Sequence, residues 1–261
     1  MSIRQQDLDR IRELALFADT SPDTFRDATG GAFLQRFPAG TTLLMEGDRV
    51  DFLYVLLAGQ VELRGSWKDK ETTLAVLRPV STFILAAVVL DAPALMSAMT
   101  LERSELLMIS GESLRRAMKQ DSDFSFAVSQ ELAGCYRGLV RSVKNQKLRG
   151  ALERLANYLV TLHARNNGQT DLVLPHEKRV LASLLGMTPE NLSRAFAKLD
   201  EYGVEVDGNR VRLGNVEKLR RLARPHPLID NHSLSSGSVA GKAVKESWPS
   251  STMSCPSSEA V

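Results

Sequence analysis

The chain has 261 residues, enough for one or two domains with their own cores, and 43% of them are hydrophobic. Its 33 Lys and Arg against 31 Asp and Glu leave a formal charge of +2, so a nucleic-acid surface must be a local patch, such as the basic clusters at 137–154 and 218–224. Cys135 and Cys255 are too few and too far apart for a disulfide framework or an iron–sulfur site, and the charged start MSIRQQDLDRIREL reads as a helix rather than a secretory leader, which fits a cytoplasmic protein.

In chain order, residues 3–16 place Leu8, Ile11, Leu14 and Ala15 at helical spacing, and Ser21-Pro22 opens a second short helix through Phe25. From Gly31 the period changes. Residues 33–37 read as extended, Pro38-Ala39-Gly40 as a turn, 42–45 as a strand and Glu46-Gly47-Asp48 as another turn. Residues 52–57 are a run of strand formers, Ala58-Gly59-Gln60 leads into 61–64, and 72–77 is a further strand. Short strands at regular intervals with glycine turns predict a β-barrel or roll. Residues 82–101 (TFILAAVVLDAPALMSAMTL) carry one charge in a stretch near bilayer-spanning length. Asp91 and Pro93 interrupt it, so it reads as buried strand and short helix, not as a membrane span.

The period then becomes helical. Residues 113–118 form a short helix, and from Phe124 onward Val128, Leu132, Cys135 with Tyr136, Leu139 and Val143 make one apolar stripe at spacings of three and four. A helix at 121–147 that pairs with its own copy explains so long a stripe, with Val128, Leu132, Cys135, Leu139 and Val143 at the dimer interface. A core-facing helix is the alternative. A further helix over 148–164 feeds the next unit.

Residues 174–210 read as a winged helix-turn-helix. A short helix spans 175–184 with Pro175 at its start, and Gly186 takes the left-handed turn. Thr188 caps a second helix, Pro189 sits at its first position, and Glu190 favours the positive end of the dipole. Leu192, Phe196 and Leu199 face inward, while Glu190, Asn191, Ser193, Arg194 and Lys198 project elsewhere. After Gly203, alternating residues 204–206, the turn Asp207-Gly208-Asn209 and 211–213 give a β-hairpin. Such a helix suits the major groove of double-stranded DNA. Arg pairs with guanine, Glu accepts from cytosine, and Ser reaches either. The expected DNA-facing residues are Thr188, Glu190, Asn191, Ser193, Arg194 and Lys198. From 225 to 261 the chain is Ser-rich with no apolar period and is expected to be a disordered tail.

The expected fold is thus α+β: a double-stranded β-roll over 1–120, a dimerisation helix over 121–147 and a winged helix-turn-helix over 148–224. In this order the parts resemble the CRP/FNR family of bacterial transcription regulators over roughly residues 15–222. The resemblance rests on FPAGTTLLMEGD (37–48), LYVLLAGQVEL (53–63) and LASLLGMTPENLSRAFAKL (181–199). It implies a homodimer on a two-fold DNA site near promoters, with RNA polymerase as a partner and no membrane, more often activating than repressing. The family's Glu and Arg four residues apart map to Glu190 and Arg194. Ser193 matches the FNR/FixK/DNR side, whose half-site is TTGAT-like, and Pro189 departs from both branches.

The family's cyclic-nucleotide binders carry Phe-x-Gly-Glu followed by Arg-Ser-Ala. Here Phe83-Ile84-Leu85-Ala86 and Met96-Ser97-Ala98 stand in their place. The ribose-binding acid falls on Ala86, the phosphate-binding Arg on Met96 and the close-approach Gly on Leu85. Leu139 and Val140 occupy the region where cyclic-AMP binders present hydroxyls. A cyclic phosphate buried against Met and Leu with no cation would cost several kcal/mol. The pocket formed by Leu85, Ala86, Met96, Ser97, Leu139 and Val140 is therefore expected to be apolar and not to bind cyclic AMP. The oxygen-sensing branch needs an N-terminal cysteine cluster, and none precedes Cys135. No cofactor is expected. Haem held by Met45, Met96, Met99 or Cys135, and a redox role for Cys135, stay open beside ordinary packing. With no phosphate loop, no metal-ligand cluster and no His beside a Ser or Cys nucleophile, the sequence does not point to an enzyme.

Overall fold

The computed structural model describes residues 5–230, which build two units joined by one long helix. The first opens with α1 (Gln5–Arg12) and α2 (Pro22–Thr29). The helix expected over 3–16 stops at Arg12, and Leu14, Leu16 and Phe17 reach the core from turns instead. The second helix starts where expected, with the Ser21 hydroxyl accepting from the Thr24 amide at 3.2 Å and Pro22 presetting its first turn, and runs a turn beyond Phe25.

The roll follows: β1 (Phe33–Phe37), β2 (Thr42–Leu44), β3 (Phe52–Ala58), β4 (Val61–Trp67), β5 (Lys70–Leu77), β6 (Ser81–Phe83), α3 (Leu85–Leu90), β7 (Ser97–Thr100), β8 (Ser104–Ser110) and α4 (Gly111–Gln120). Two four-stranded antiparallel sheets result, in the orders β1-β8-β3-β6 and β2-β7-β4-β5. Gly40, Gly47 and Gly59 take the left-handed turns at φ 75°, 88° and 88°. At Gly59 a Cβ would lie 2.4 Å from Ser104 Oγ and 2.6 Å from the Arg103 carbonyl, so no larger residue fits. The apolar run at 82–101 divides into β6, α3 and β7. No helix among the described residues is long and apolar enough to cross a membrane.

Leu53, Val55, Leu56, Leu106, Leu107 and Ile109 are fully buried at the centre. Each contributes about 1.5–3 kcal/mol by leaving water. α5 (Ser122–Leu148) leaves this unit. The Asp121 carboxylate caps it, accepting from the amides of Asp123, Phe124 and Ser21, each at 3.0 Å. The Phe124 and Ser21 amides, with the Thr24 and Ser21 hydroxyls, hold its carboxyl down at about 2. The start of α5 belongs to the roll. Phe124 stacks on Phe17 at 5.5 Å, Val128 is fully buried, and Leu132 packs on the same cluster.

The second unit comprises α6 (Ala151–Arg165), β9 (Asp171–Val173), α7 (Lys178–Leu184), α8 (Pro189–Leu199), β10 (Val204–Asp207), β11 (Arg210–Leu213), α9 (Val216–Ala223) and α10 (Pro227–Asp230). β9 was not expected. It completes a three-stranded antiparallel sheet, β10-β11-β9, with Leu172 opposite Val211. The helix expected from Pro175 begins only at Lys178, after Glu177 in an extended conformation. α10 corrects the tail: residues 227–230 are helical and dock on the end of α5, while 231–261 lie outside the described residues. The core of this unit gathers Leu155, Leu159, Leu181, Leu192, Leu199, Val211 and Leu219.

Candidate nucleic-acid interface

α8 carries the candidate reading surface. Thr188 caps it, its hydroxyl accepting from the Asn191 amide at 3.3 Å, and Pro189 fills the first position. Leu192, Ala195, Phe196 and Leu199 are buried and fix the rotation of the helix on its unit. Thr188, Glu190, Asn191, Ser193, Arg194 and Lys198 are all exposed. The Thr188 hydroxyl, the helix's own amide and the Arg194 charge hold the Glu190 carboxyl below its usual range, so it is an acceptor at neutral pH. Ser193 donates to the Pro189 carbonyl at 3.0 Å and keeps lone pairs for an incoming donor.

The turn before α8 is fixed by a residue sequence reasoning overlooked. Gly186 stands at φ 61°. Arg154 on α6 donates to the Leu185 carbonyl at 2.7 Å, the Gly186 carbonyl at 3.2 Å and the Arg149 carbonyl at 2.6 Å. Basic residues continue round the unit at Lys218, Arg220, Arg221 and Arg224, near the wing.

α8 is exposed along its polar face, but its start lies across a cleft from the roll. A cleft of about 550 Å³ separates it from the β4–β5 hairpin, with Thr188, Pro189 and Asn191 on one wall and Glu62, Arg64 and Glu71 on the other. Ser183 of α7 closes one end: its hydroxyl accepts from the Thr73 amide at 2.6 Å and lies 3.0 Å from Thr72 Oγ1. Behind it the buried Glu62 accepts from Thr73 Oγ1 at 2.6 Å and from Arg64 Nε at 2.8 Å. The hairpin occupies the space beside the first turn of α8 into which the wall of a major groove would have to fit, and the cleft carries both signs of charge, Glu62 and Glu71 with Arg64 and Arg179. His176, beside this seam, is held below the usual imidazole value by burial and by Arg78.

The expected effector residues differ in burial. Leu85 is buried in the roll and Met96 packs on the same core, whereas Ala86 is exposed and Leu139 and Val140 stand 63% and 39% exposed on α5. Ser97 Oγ accepts from the Glu46 amide at 2.9 Å. Three of the six, Ala86, Leu139 and Val140, are thus open to solvent in the protomer. Two charges on α5 were missed. Glu131 faces the roll, accepting from Thr82 Oγ1 at 2.6 Å. Arg141 is 8% exposed, its Nη1 is buried without a hydrogen-bond partner, and no acid among the described residues pairs with it. Neither carries an apolar signal, so periodicity passed over both.

The expected dimer stripe is also corrected. Val128 is buried in its own protomer and has no surface to offer, and Leu132 is half-spent on the same core. The exposed apolar face of α5 begins later: Cys135 is exposed, and Tyr136, Leu139, Val140 and Val143 stand 68%, 63%, 39% and 48% exposed. Among the haem candidates, Met45 is 55% exposed.

Comparison with known proteins places this arrangement. The cyclic nucleotide-binding domain model matches residues 34–121, and the Crp-like helix-turn-helix domain model matches 153–222. The CRP-like cAMP-activated global transcriptional regulator of Mycobacterium tuberculosis is 25% identical over 194 residues, covering 72% of this chain and 87% of that protein. The structure of FixK2 from Bradyrhizobium japonicum aligns over 75% of this chain and 98% of its own, with TM-score 0.64 and 21% identity. A CRP/FNR-family regulator from Eubacterium rectale aligns over 82% of this chain and 100% of its own, with TM-score 0.67 and 15% identity. With both domains matched in the order in which the fold presents them, the chain belongs to the CRP/FNR family of DNA-binding transcription regulators.

Proposed function

We propose that the protein is a homodimeric regulator, acting in the cytoplasm and more often as an activator through RNA polymerase, that reads a TTGAT-like palindrome with α8. The observation that carries the reading is the exposed Glu190–Arg194 pair on a helix whose rotation is fixed by four buried side chains and whose start is capped by Thr188. Arg194 serves one guanine, Glu190 accepts from a base amine, and Asn191, Ser193 and Lys198 add base and phosphate contacts. The exposed α5 face from Cys135 to Val143 pairs with its copy and spaces the two reading helices. Binding of a duplex carrying TTGAT-N4-ATCAA, followed by fluorescence anisotropy, tests this. Saturable binding by dimers that weakens steeply with salt is expected. Equal affinity for a scrambled duplex would overturn it.

The effector reading is that cyclic AMP is not the signal and that no cofactor is needed. Met96 supplies no cation, and Glu131 places a further carboxylate on the helix that faces the roll. A second reading, cyclic-AMP control, is favoured by one observation: Arg141 is a buried guanidinium in need of an anion. Calorimetry with cyclic AMP separates them. No heat and no change in DNA affinity supports the first, and saturable binding abolished by Arg141→Met supports the second.

A further inference from the structure

Two extended residues, Arg149 (φ −119°, ψ 141°) and Gly150 (φ −68°, ψ 162°), join α5 to α6. Any rigid rotation of the DNA-binding unit about α5 passes through them. The chain comes back to this joint after α9. Arg224 turns left-handed at φ 44°, Pro225 follows, and α10 lies against the end of α5. There Arg149 Nη1 and Nη2 donate to the Asp230 carboxylate at 2.6 and 2.7 Å. The pair is bidentate and largely out of water, with the arginine side chain 8% and the acid 19% exposed. Nη2 also donates to the Arg224 carbonyl at 3.2 Å, Nη1 to Asn145 Oδ1 at 3.1 Å, and the His226 amide to Asp230 Oδ2 at 2.6 Å. On the other side the Arg149 carbonyl is held by Arg154, whose guanidinium also holds the turn before Thr188. A run of charge-assisted bonds leads from Asp230 through the joint to the start of α8.

We propose that residues 225–230 are a strap that holds the joint at the angle seen here, with Asp230 and Arg149 as positioning residues for the reading helix. The segment lies beyond the matched helix-turn-helix domain, which ends at residue 222. At this angle the first turn of α8 faces the β4–β5 hairpin and Ser183 is bonded to β5. The strap therefore favours the arrangement in which the hairpin crowds the first turn of α8, and loosening it opens the cleft. This rests on α8 being the DNA-reading helix. DNA selects the open arrangement, so its apparent affinity scales with the fraction that is open.

The test uses the full chain with Cys135→Ser, Cys255→Ser and Met187→Cys, where position 187 lines the cleft. Labelling of that thiol by a polyethylene-glycol maleimide reads opening without DNA. Asp230→Ala should speed labelling and tighten binding to the TTGAT duplex by the same factor, about three- to tenfold. Asp230→Glu, which keeps the charge, should stay near the parent in both. Arg149→Lys, which keeps the charge but loses the fork, should behave like Asp230→Ala and serves if that variant does not fold. Labelling at the parent rate overturns the strap. Faster labelling with unchanged or weaker duplex binding overturns the restraint on DNA. Faster labelling in a protein that binds no duplex in any variant keeps the strap and overturns the DNA reading instead.

Discussion

The two ends of the α5 stripe should respond in opposite ways to substitution. Val128 is fully buried beside the stacked Phe17 and Phe124 rings. Val128→Ala removes two carbons, each worth about 0.8 kcal/mol in transfer. The cavity left behind brings the loss to about 2–3 kcal/mol. For a unit of this size that lowers the melting temperature of the roll by roughly 4–12 °C. Assembly should be untouched, because Val128 has no exposed surface. Leu139 is 63% exposed and contributes little to its own protomer. Leu139→Asp should leave the protomer's melt nearly unchanged and give monomers, since two copies would bury like charges against each other. Sedimentation velocity and calorimetric melts on the same samples read both effects. A Val128→Ala protein that falls apart into monomers at an unchanged melting temperature would refute the assignment of the first turns of α5 to the roll core.

Arg154→Ala should destabilise the DNA-binding unit by about 3 kcal/mol, because the carbonyls of Leu185, Gly186 and Arg149 lose a charged donor. Arg154→Lys should recover only part of this, as one ammonium cannot replace the fork, and a full recovery in urea melts would contradict it. His176 titrates below the ordinary imidazole value in the folded state, so the unfolded chain binds the proton more readily and stability rises with pH. That contribution is complete above about pH 6.5 and is lost as pH falls through the lowered folded value, so His176→Gln should flatten the pH 5–7 stability profile. Asp121 acts lower: its support is present above about pH 3.9, the usual Asp value, and fades as pH falls through its folded pKa of about 2. Asp121→Ala should cost about 1 kcal/mol at neutral pH in a thermal melt, the usual worth of a helix cap.

Turn chemistry and helical caps were the most legible parts of the chain. Ser21, Thr188, Pro189 and the glycines at 40, 47, 59 and 186 act locally, and each stands where its residue type predicts. The central strand β3 was readable because it is buried almost end to end, while β8, its neighbour, begins with Ser104-Glu105 and escaped notice. β9 has three residues and exists only because β11 lies beside it. The stripe on α5 was seen, but periodicity does not say what covers each turn. Val128 faces the roll and Leu139 faces outward on one continuous pattern. The charged residues that organise the joint, Arg149, Arg154 and Asp230, have partners 4 to 81 positions away, and composition carries no trace of such pairs. The tail beginning at 225 looked unstructured for the same reason. Its first residues are ordered by one buried arginine, not by apolar area.

The proposed reading of DNA by α8 rests on the Glu190–Arg194 pair. Its most direct test is anisotropy at fixed salt with the TTGAT-N4-ATCAA duplex and with duplexes changed at the single G·C pair of each half-site, for the natural protein and for Arg194→Ala. The natural protein should lose about 1–3 kcal/mol per half-site on changing that pair. Arg194→Ala should bind the original duplex more weakly by a similar amount and no longer distinguish the changed one. An Arg194→Ala protein that keeps both the affinity and the preference of the natural protein would contradict it.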